Sequence, residues 1–159
     1  MDALLKLLKQ NALESPKNLA KLLNMSETDV KAKIGEYERQ GVIRGYQAIL
    51  NEDSLNLRRV EAVIEVKVTP EREGGFSRVS ARIARFPEVE AIYLMSGAYD
   101  LLVFVNGPDL KEVASFVSEK LATMEGVVST ATHFMLKTYK ERGIMMEVKD
   151  EHERLKISP

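Results

Sequence analysis

The hydrophobic period changes once along this 159-residue chain, and that change limits the folds open to it. Up to about residue 40 the apolar residues recur at helical spacing. From Arg59 onward, apolar runs of strand length alternate with helical stretches. A helical head joined to an alternating β and α body predicts an α+β chain in two domains. The polar stretch Asn51-Glu52-Asp53-Ser54 reads as the joint between them.

The head reads as three helices. Leu4, Leu5, Leu7 and Leu8 give one face of the first. Ser15-Pro16 opens the second, since serine is a good N-cap and proline suits the first helical position. Leu19, Leu22 and Leu23 supply its buried side, and Ala20 is small where two helices cross closely. Asn24 tolerates the left-handed conformation that a tight break requires. Ser26 caps a third helix, with Asp29 near the N-terminus where negative charge is favoured. Val30, Ile34 and Tyr37 face its core, and Gly41 stops it. A short helix, a tight turn and a further helix make a helix-turn-helix. Residues 42–50 are strand-like and supply a wing. Residues 1–50 are therefore expected to be a winged helix-turn-helix, and 51–58 a linker.

The body begins with a strand at Val60–Val68. A loop over 69–75 leads to a helix marked by Phe76, Val79 and Ile83, which ends before Pro87. Strands at 89–95 and 100–105 form a hairpin around Gly97-Ala98. Asp109 with Glu112 caps another helix, buried through Leu110, Val113, Val117 and Leu121. A last long strand covers 126–137. The order β-α-β-β-α-β is the split βαβ of ferredoxin-like folds, here over residues 59–140. Residues 141–159 form a charged tail, in which 143–148 adds an edge strand.

Composition narrows the chemistry. A chain 45% hydrophobic and 30% charged is globular rather than disordered. No apolar run approaches the roughly 20 residues that span a bilayer. The start, Met-Asp-Ala-Leu-Leu-Lys, carries an early acid and no basic n-region, so no signal peptide is read and a cytoplasmic location is expected. The chain has no cysteine, and only His133 and His152 among histidines, so neither a metal nor another cofactor is expected. Residues 1–50 hold eight Lys/Arg against six Asp/Glu, while the remaining 109 residues sum to −3. The sign suits a head that faces nucleic acid.

A recognition helix inserts its N-terminal residues into the major groove. Opposite Val30 and Ile34 lie Thr28, Ala32, Gly35 and Arg39, flanked by Lys31. Thr28 and Lys31 are candidates for base edges or phosphates. Lys33, Arg39 and Arg44 are candidates for phosphates, with Ser26 at the helix start. Glu27, Asp29 and Glu36 on the same helix repel phosphate.

These segments resemble the Lrp/AsnC transcriptional regulators, the leucine- and asparagine-responsive feast/famine proteins. The head carries the likeness in 19–26, Leu-Ala-Lys-Leu-Leu-Asn-Met-Ser, and in 38–46, Glu-Arg-Gln-Gly-Val-Ile-Arg-Gly-Tyr. The body carries it in Phe86-Pro87-Glu88-Val89, in 96–103, Ser-Gly-Ala-Tyr-Asp-Leu-Leu-Val, and in Met124-Glu125-Gly126-Val127. The likeness runs over roughly residues 2–140. It implies a winged DNA-binding domain that binds double-stranded DNA and a ferredoxin-like domain that dimerises. It also implies higher oligomers such as tetramers or octamers, and an amino-acid effector bound between dimers.

In that setting the Asp100 carboxylate accepts the effector's ammonium, and the amides of Gly97, Ala98 and Tyr99 hold its carboxylate. Thr132, His133, Phe134 and Met135 of the last strand line the same site. From the residues alone, Asp100 equally suits a turn stabilised by its own carboxylate. The family usually carries arginines where this chain has Lys31 and Lys33, and lysine lacks the bidentate fork that reads guanine. Two alternatives share the architecture. One is a decarboxylase of sirohaem-type tetrapyrroles, whose pattern has histidine and asparagine where this chain has Ala98 and Asp100. The other is a metabolite-sensing oligomerisation module that no longer reads DNA.

Overall fold

The computed structural model describes residues 1–55, 59–72 and 74–146. The chain divides into two units, Met1–Ile49 and Leu50–Pro159.

In the first unit, α1 (Ala3–Gln10), α2 (Pro16–Leu23) and α3 (Glu27–Arg39) each begin at a side-chain cap. Asp2, Ser15 and Ser26 accept hydrogen bonds from Leu4 N, Asn18 N and Asp29 N respectively. Asn24 closes α2 in the left-handed conformation, φ 52°, ψ 46°. Leu4, Leu8, Leu19, Ala20 and Val30 form the core, and Leu23, Met25, Ile34, Tyr37 and Ile43 pack around it. Leu22 is not part of it: its side chain is 65% exposed, because Leu19 and Leu23, four apart, already define the inward stripe.

No strand forms over residues 42–50, contrary to the wing expected there. Val42 N and Ile43 N both turn back to Tyr37 O and cap α3, and Ile43 joins the helical core. A strand is held by a partner strand, and the described residues of this unit offer none.

The second unit starts with a 3-10 turn, Glu52–Leu55, inside the stretch read as linker. Residues 56–58 of that stretch lie outside the described residues. There follow β1 (Val60–Val68), α4 (Ser77–Ile83), β2 (Val89–Leu94), β3 (Leu101–Gly107), α5 (Leu110–Ser115) and β4 (Val127–Phe134). The antiparallel sheet has the order β2-β3-β1-β4, so β1 and β3 are central. The helices cover one face. Ala62, Ile64, Val66 and Val68 of β1 and Leu101, Val103 and Val105 of β3 meet Val79, Ile83, Val113, Phe116, Val117 and Leu121 there.

Two helix expectations change. Leu110 is 57% exposed rather than buried. Beyond Ser115 the helix widens into a π-helical segment, Phe116–Leu121, in which Ala122 N donates to Val117 O. That widening puts Phe116, absent from the expected core, inside it.

β4 ends at Phe134, short of residue 137. Ala62 pairs with Phe134 and Met135 N still donates to Glu61 O, but β1 itself begins at Val60, so no strand remains to pair with. The tail forms a separate small hairpin, β5 (Lys140–Glu141) with β6 (Ile144–Met145), rather than an added edge strand. Asn51 Nδ2 donates to Met146 O at 2.8 Å and ties the hairpin to the start of the unit. Residues 147–159, including His152, lie outside the described residues.

Candidate nucleic-acid and effector sites

α3 presents an outward stripe of small and basic residues. Ser26, Thr28 and Arg39 are exposed, and Gly35 leaves a bare patch of backbone on the same side. A Cβ built on Gly35 comes within 3.4 Å of Arg39 Nη1, so the guanidinium lies flat over the glycine. The Arg44 guanidinium folds similarly against Gly41.

The acids of α3 have local partners. Glu27 pairs with Lys31 at 2.6 Å. Asp29 Oδ2 accepts from Ser26 Oγ at 2.6 Å. Glu36 accepts from Gln40 Nε2 at 2.8 Å, and Glu38 accepts from the Tyr46 hydroxyl at 2.9 Å. The Lys31 bond holds the Glu27 carboxyl below its usual range. Lys33 departs from the stripe. It reaches back to Asp2 Oδ2 at 3.0 Å and pins the start of α1 to α3. That bond raises Lys33 and lowers Asp2 from their ordinary values.

In the second unit, Gly97 has a φ of 151°, open to glycine and costly for other residues, so the chain turns there. Gly97 and Ala98 are exposed, and Tyr99 and Asp100 are half-buried. Among the described residues no protein acceptor meets the amides of Gly97, Ala98 or Tyr99.

Asp100 has a structural partner the sequence does not announce. Its Oδ2 accepts the hydrogen bond of Val68 N at 2.9 Å, and its own N–H donates to Val66 O at 3.1 Å. The β1–β4 register slips between Lys67 and Val68. Asp100 takes the amide that this bulge turns away from β4, and one carboxylate oxygen stays available.

The run Thr132–Met135 does not gather on one surface. Thr132 faces Ile64 and Phe134 faces Ala62, so both turn toward the helices, and Phe134 packs against the core. His133 faces Val63 on the open side, where its Nε2 lies 3.4 Å from Glu65 Oε1, and Met135 is exposed beyond the strand. Within one chain this run is also remote from Asp100. Asp100 sits beside Val68, while His133 pairs with Val63. Five residues along a strand span roughly 16 Å. One subunit therefore holds two half-sites at opposite ends of its sheet.

The sheet face away from the helices carries Val63, Glu65, Leu102, Phe104, Ala91, Tyr93, Ala131 and His133 at alternating positions. Tyr93 and Phe104 meet edge to face at 5.8 Å, and Tyr93 is 51% exposed. The signal for this surface is in the sequence: Leu101 to Val105 is apolar at every position, the mark of a strand covered on both faces. At the rim, burial and then the carboxylates of Glu52, Glu90 and Glu141 push Glu61 above its usual range, against the pull of Arg59.

Residues 61–145 match the model of the Lrp/AsnC ligand binding domain. The HTH-type transcriptional regulator YugG of Bacillus subtilis is 43% identical over 157 residues, 98% of this chain and 95% of that protein. The proline dehydrogenase transcriptional activator of Rhodobacter capsulatus is 30% identical over 125 residues, 79% of this chain and 80% of the activator. Among solved structures, a transcriptional regulator of Neisseria meningitidis in complex with L-methionine superposes with a TM-score of 0.67 at 25% identity. That match covers 89% of this chain and 93% of the other. Among the described residues no helix is long and apolar enough to cross a membrane.

Proposed function

The chain belongs to the Lrp/AsnC family of transcriptional regulators, and from that premise we propose that it reads duplex DNA with α3 and answers to an amino acid held between subunits. The observation that carries the DNA reading is the outer face of α3. Thr28, Gly35 and Arg39 form a shallow ridge, while Glu27, Asp29, Glu36 and Glu38 have neighbours that blunt their repulsion of phosphate. In this reading α2 and α3 are the helix-turn-helix. Thr28 and Lys31 approach base edges, Arg39 and Arg44 take phosphates, and Ser26 sets the helix start. Lys33 positions α3 through Asp2 rather than reaching DNA. No paired wing is invoked.

Two copies of the second unit join through the open sheet face. An apolar surface built on Val63, Leu102, Phe104 and Tyr93 is larger than a lone subunit leaves uncovered, and a two-fold axis makes one patch serve both partners. Dimers then associate so that the Gly97–Asp100 turn of one chain meets the Thr132–Met135 segment of another. The free amides of the turn suit a carboxylate, and the spare Asp100 oxygen suits an ammonium. The L-methionine complex of the Neisseria regulator supports an amino acid as the ligand class. A regulator of this kind acts in the cytoplasm.

Anisotropy titrations of the full chain on a duplex, repeated over a range of salt, test the DNA reading. Affinity is expected to fall steeply with salt, and Arg39→Ala is expected to reduce the log–log slope by about one. An unchanged slope removes α3 from the interface.

A further inference from the structure

A cleft of about 550 Å³ opens at the end of the sheet remote from the Gly97–Asp100 turn. Its volume lies within the range of small-molecule sites. Val105, Val113 and Phe116 make an apolar floor, and Pro87 and Pro108 wall it. Phe116 stands at the start of the π-helical segment, a departure from helical regularity that recurs at functional sites. Its ring meets Phe86 edge to face at 5.4 Å.

The charges around the cleft are unbalanced. Arg59 is engaged by Glu90 at 3.2 Å and by Glu52 at 3.8 Å. Asn106 Nδ2 also donates to Glu90. Lys120 is engaged by Glu88 at 2.5 Å and lies about 6 Å from the Phe86 and Phe116 ring centres. Glu112, on the lip, has no ion-pair partner among the described residues. Four carboxylates thus surround two cations, and both cations are already paired. Glu88 Oε2 is shielded from water and accepts no hydrogen bond. Such an orphan acceptor is costly, and the soft terminal torsion of a glutamate lets it turn toward a donor that enters.

A ligand carboxylate finds no free cation here. A ligand ammonium finds Glu112, the unused Glu88 oxygen and an aromatic ring. We propose that this cleft binds a small organic cation, an amine carried on an apolar or aromatic body. The site is separate from the amino-acid site proposed above and does not depend on it.

Isothermal titration of the full chain with phenethylamine, 3-phenylpropionate and L-phenylalanine tests the assignment. Phenethylamine is expected to bind saturably in the millimolar range or below, at about 1 mM or tighter. 3-Phenylpropionate, with the same body and the opposite charge, is expected to give no saturable heat. Glu112→Gln and Glu88→Gln are each expected to weaken phenethylamine about tenfold, the effect of one lost charge contact. Asp100→Ala is expected to leave phenethylamine binding unchanged while abolishing any L-phenylalanine signal from the other site. The assignment is overturned by any one of four results: no saturation with phenethylamine, equal binding of the phenylpropionate, full binding by the double glutamine variant, or loss of phenethylamine binding in Asp100→Ala. None of these outcomes depends on whether the chain binds DNA.

Discussion

A carboxylate that caps a buried amide and one that binds an ammonium differ in what they need, and Asp100 is placed to do both. The cap requires an oxygen, and the ligand requires a charge. Asp100→Ala strands the Val68 amide and is expected to destabilise the second unit by about 1–3 kcal/mol. Asp100→Asn keeps an acceptor there and is expected to cost under about 1 kcal/mol in urea denaturation, yet to weaken amino-acid binding about tenfold or more. Equal losses of both properties in the two variants contradict the division. Glu61 makes a pH prediction. Its folded pKa is raised by burial and neighbouring carboxylates, so the fold favours the protonated form. Its contribution is therefore present below the ordinary glutamate value and lost as pH rises through the raised one. Glu61→Gln is expected to raise the melting temperature at neutral pH, with the gain vanishing below about pH 4. Residue roles set by near neighbours were legible in the sequence: the caps at Ser15, Ser26 and Asp109 and the left-handed Asn24 all act within four residues. The Asp100–Val68 and Lys33–Asp2 bonds were not, because each joins positions more than thirty residues apart and no local pattern encodes the pairing.

Elements were legible where their stability is their own and misread where a partner decides it. The hydrophobic period located α1, α2, α3 and the four sheet strands, because each buries a stripe or a face that the spacing displays. Strand ends depend on the neighbouring strand, so residues 42–50 read as extended but find no ladder, and β4 stops where β1 runs out. The π-helical turn was illegible, since the residues Phe116–Leu121 also fit an ordinary helix, and only the packing of Phe116 against Phe86 shows why the turn widens. α3 contains its own conflict. Gly35 weakens a helix interior by roughly 0.5–1 kcal/mol relative to alanine, yet its bare backbone is where the Arg39 guanidinium rests. Gly35→Ala is expected to stabilise the first unit by about that amount, because the new methyl meets Arg39 at an ordinary contact distance. The same methyl lifts the guanidinium from the helix, and DNA affinity is expected to fall several-fold in anisotropy titrations. A variant that gains stability and keeps its full affinity takes Gly35 and the pose of Arg39 out of the recognition surface.

At the scale of the whole molecule, the candidate effector site was legible as residues and illegible as a place. Sequence order brings Gly97–Asp100 and Thr132–Met135 into one list, but the β1 register sets them roughly 16 Å apart along one sheet. A ligand the size of an amino acid cannot bridge that span, so a site that uses both segments takes them from different chains. Symmetry then makes a complementation experiment decisive. Asp100→Ala chains retain an intact strand segment, and His133→Ala chains retain an intact turn. Each pure oligomer has every composite site damaged. In oligomers refolded from an equal mixture, about one site in four draws its turn from a His133→Ala chain and its strand from an Asp100→Ala chain, and is whole. Amino-acid binding measured by titration is therefore expected to return to about a quarter of the native stoichiometry in the mixture, with native affinity. If turn and strand act within one chain, mixing restores nothing, because every chain carries one defect. The same mixture read on DNA adds a second constraint. Both variants keep α3 intact, so DNA affinity without ligand is expected to match the native protein, and only the response to the amino acid is expected to return with the repaired sites.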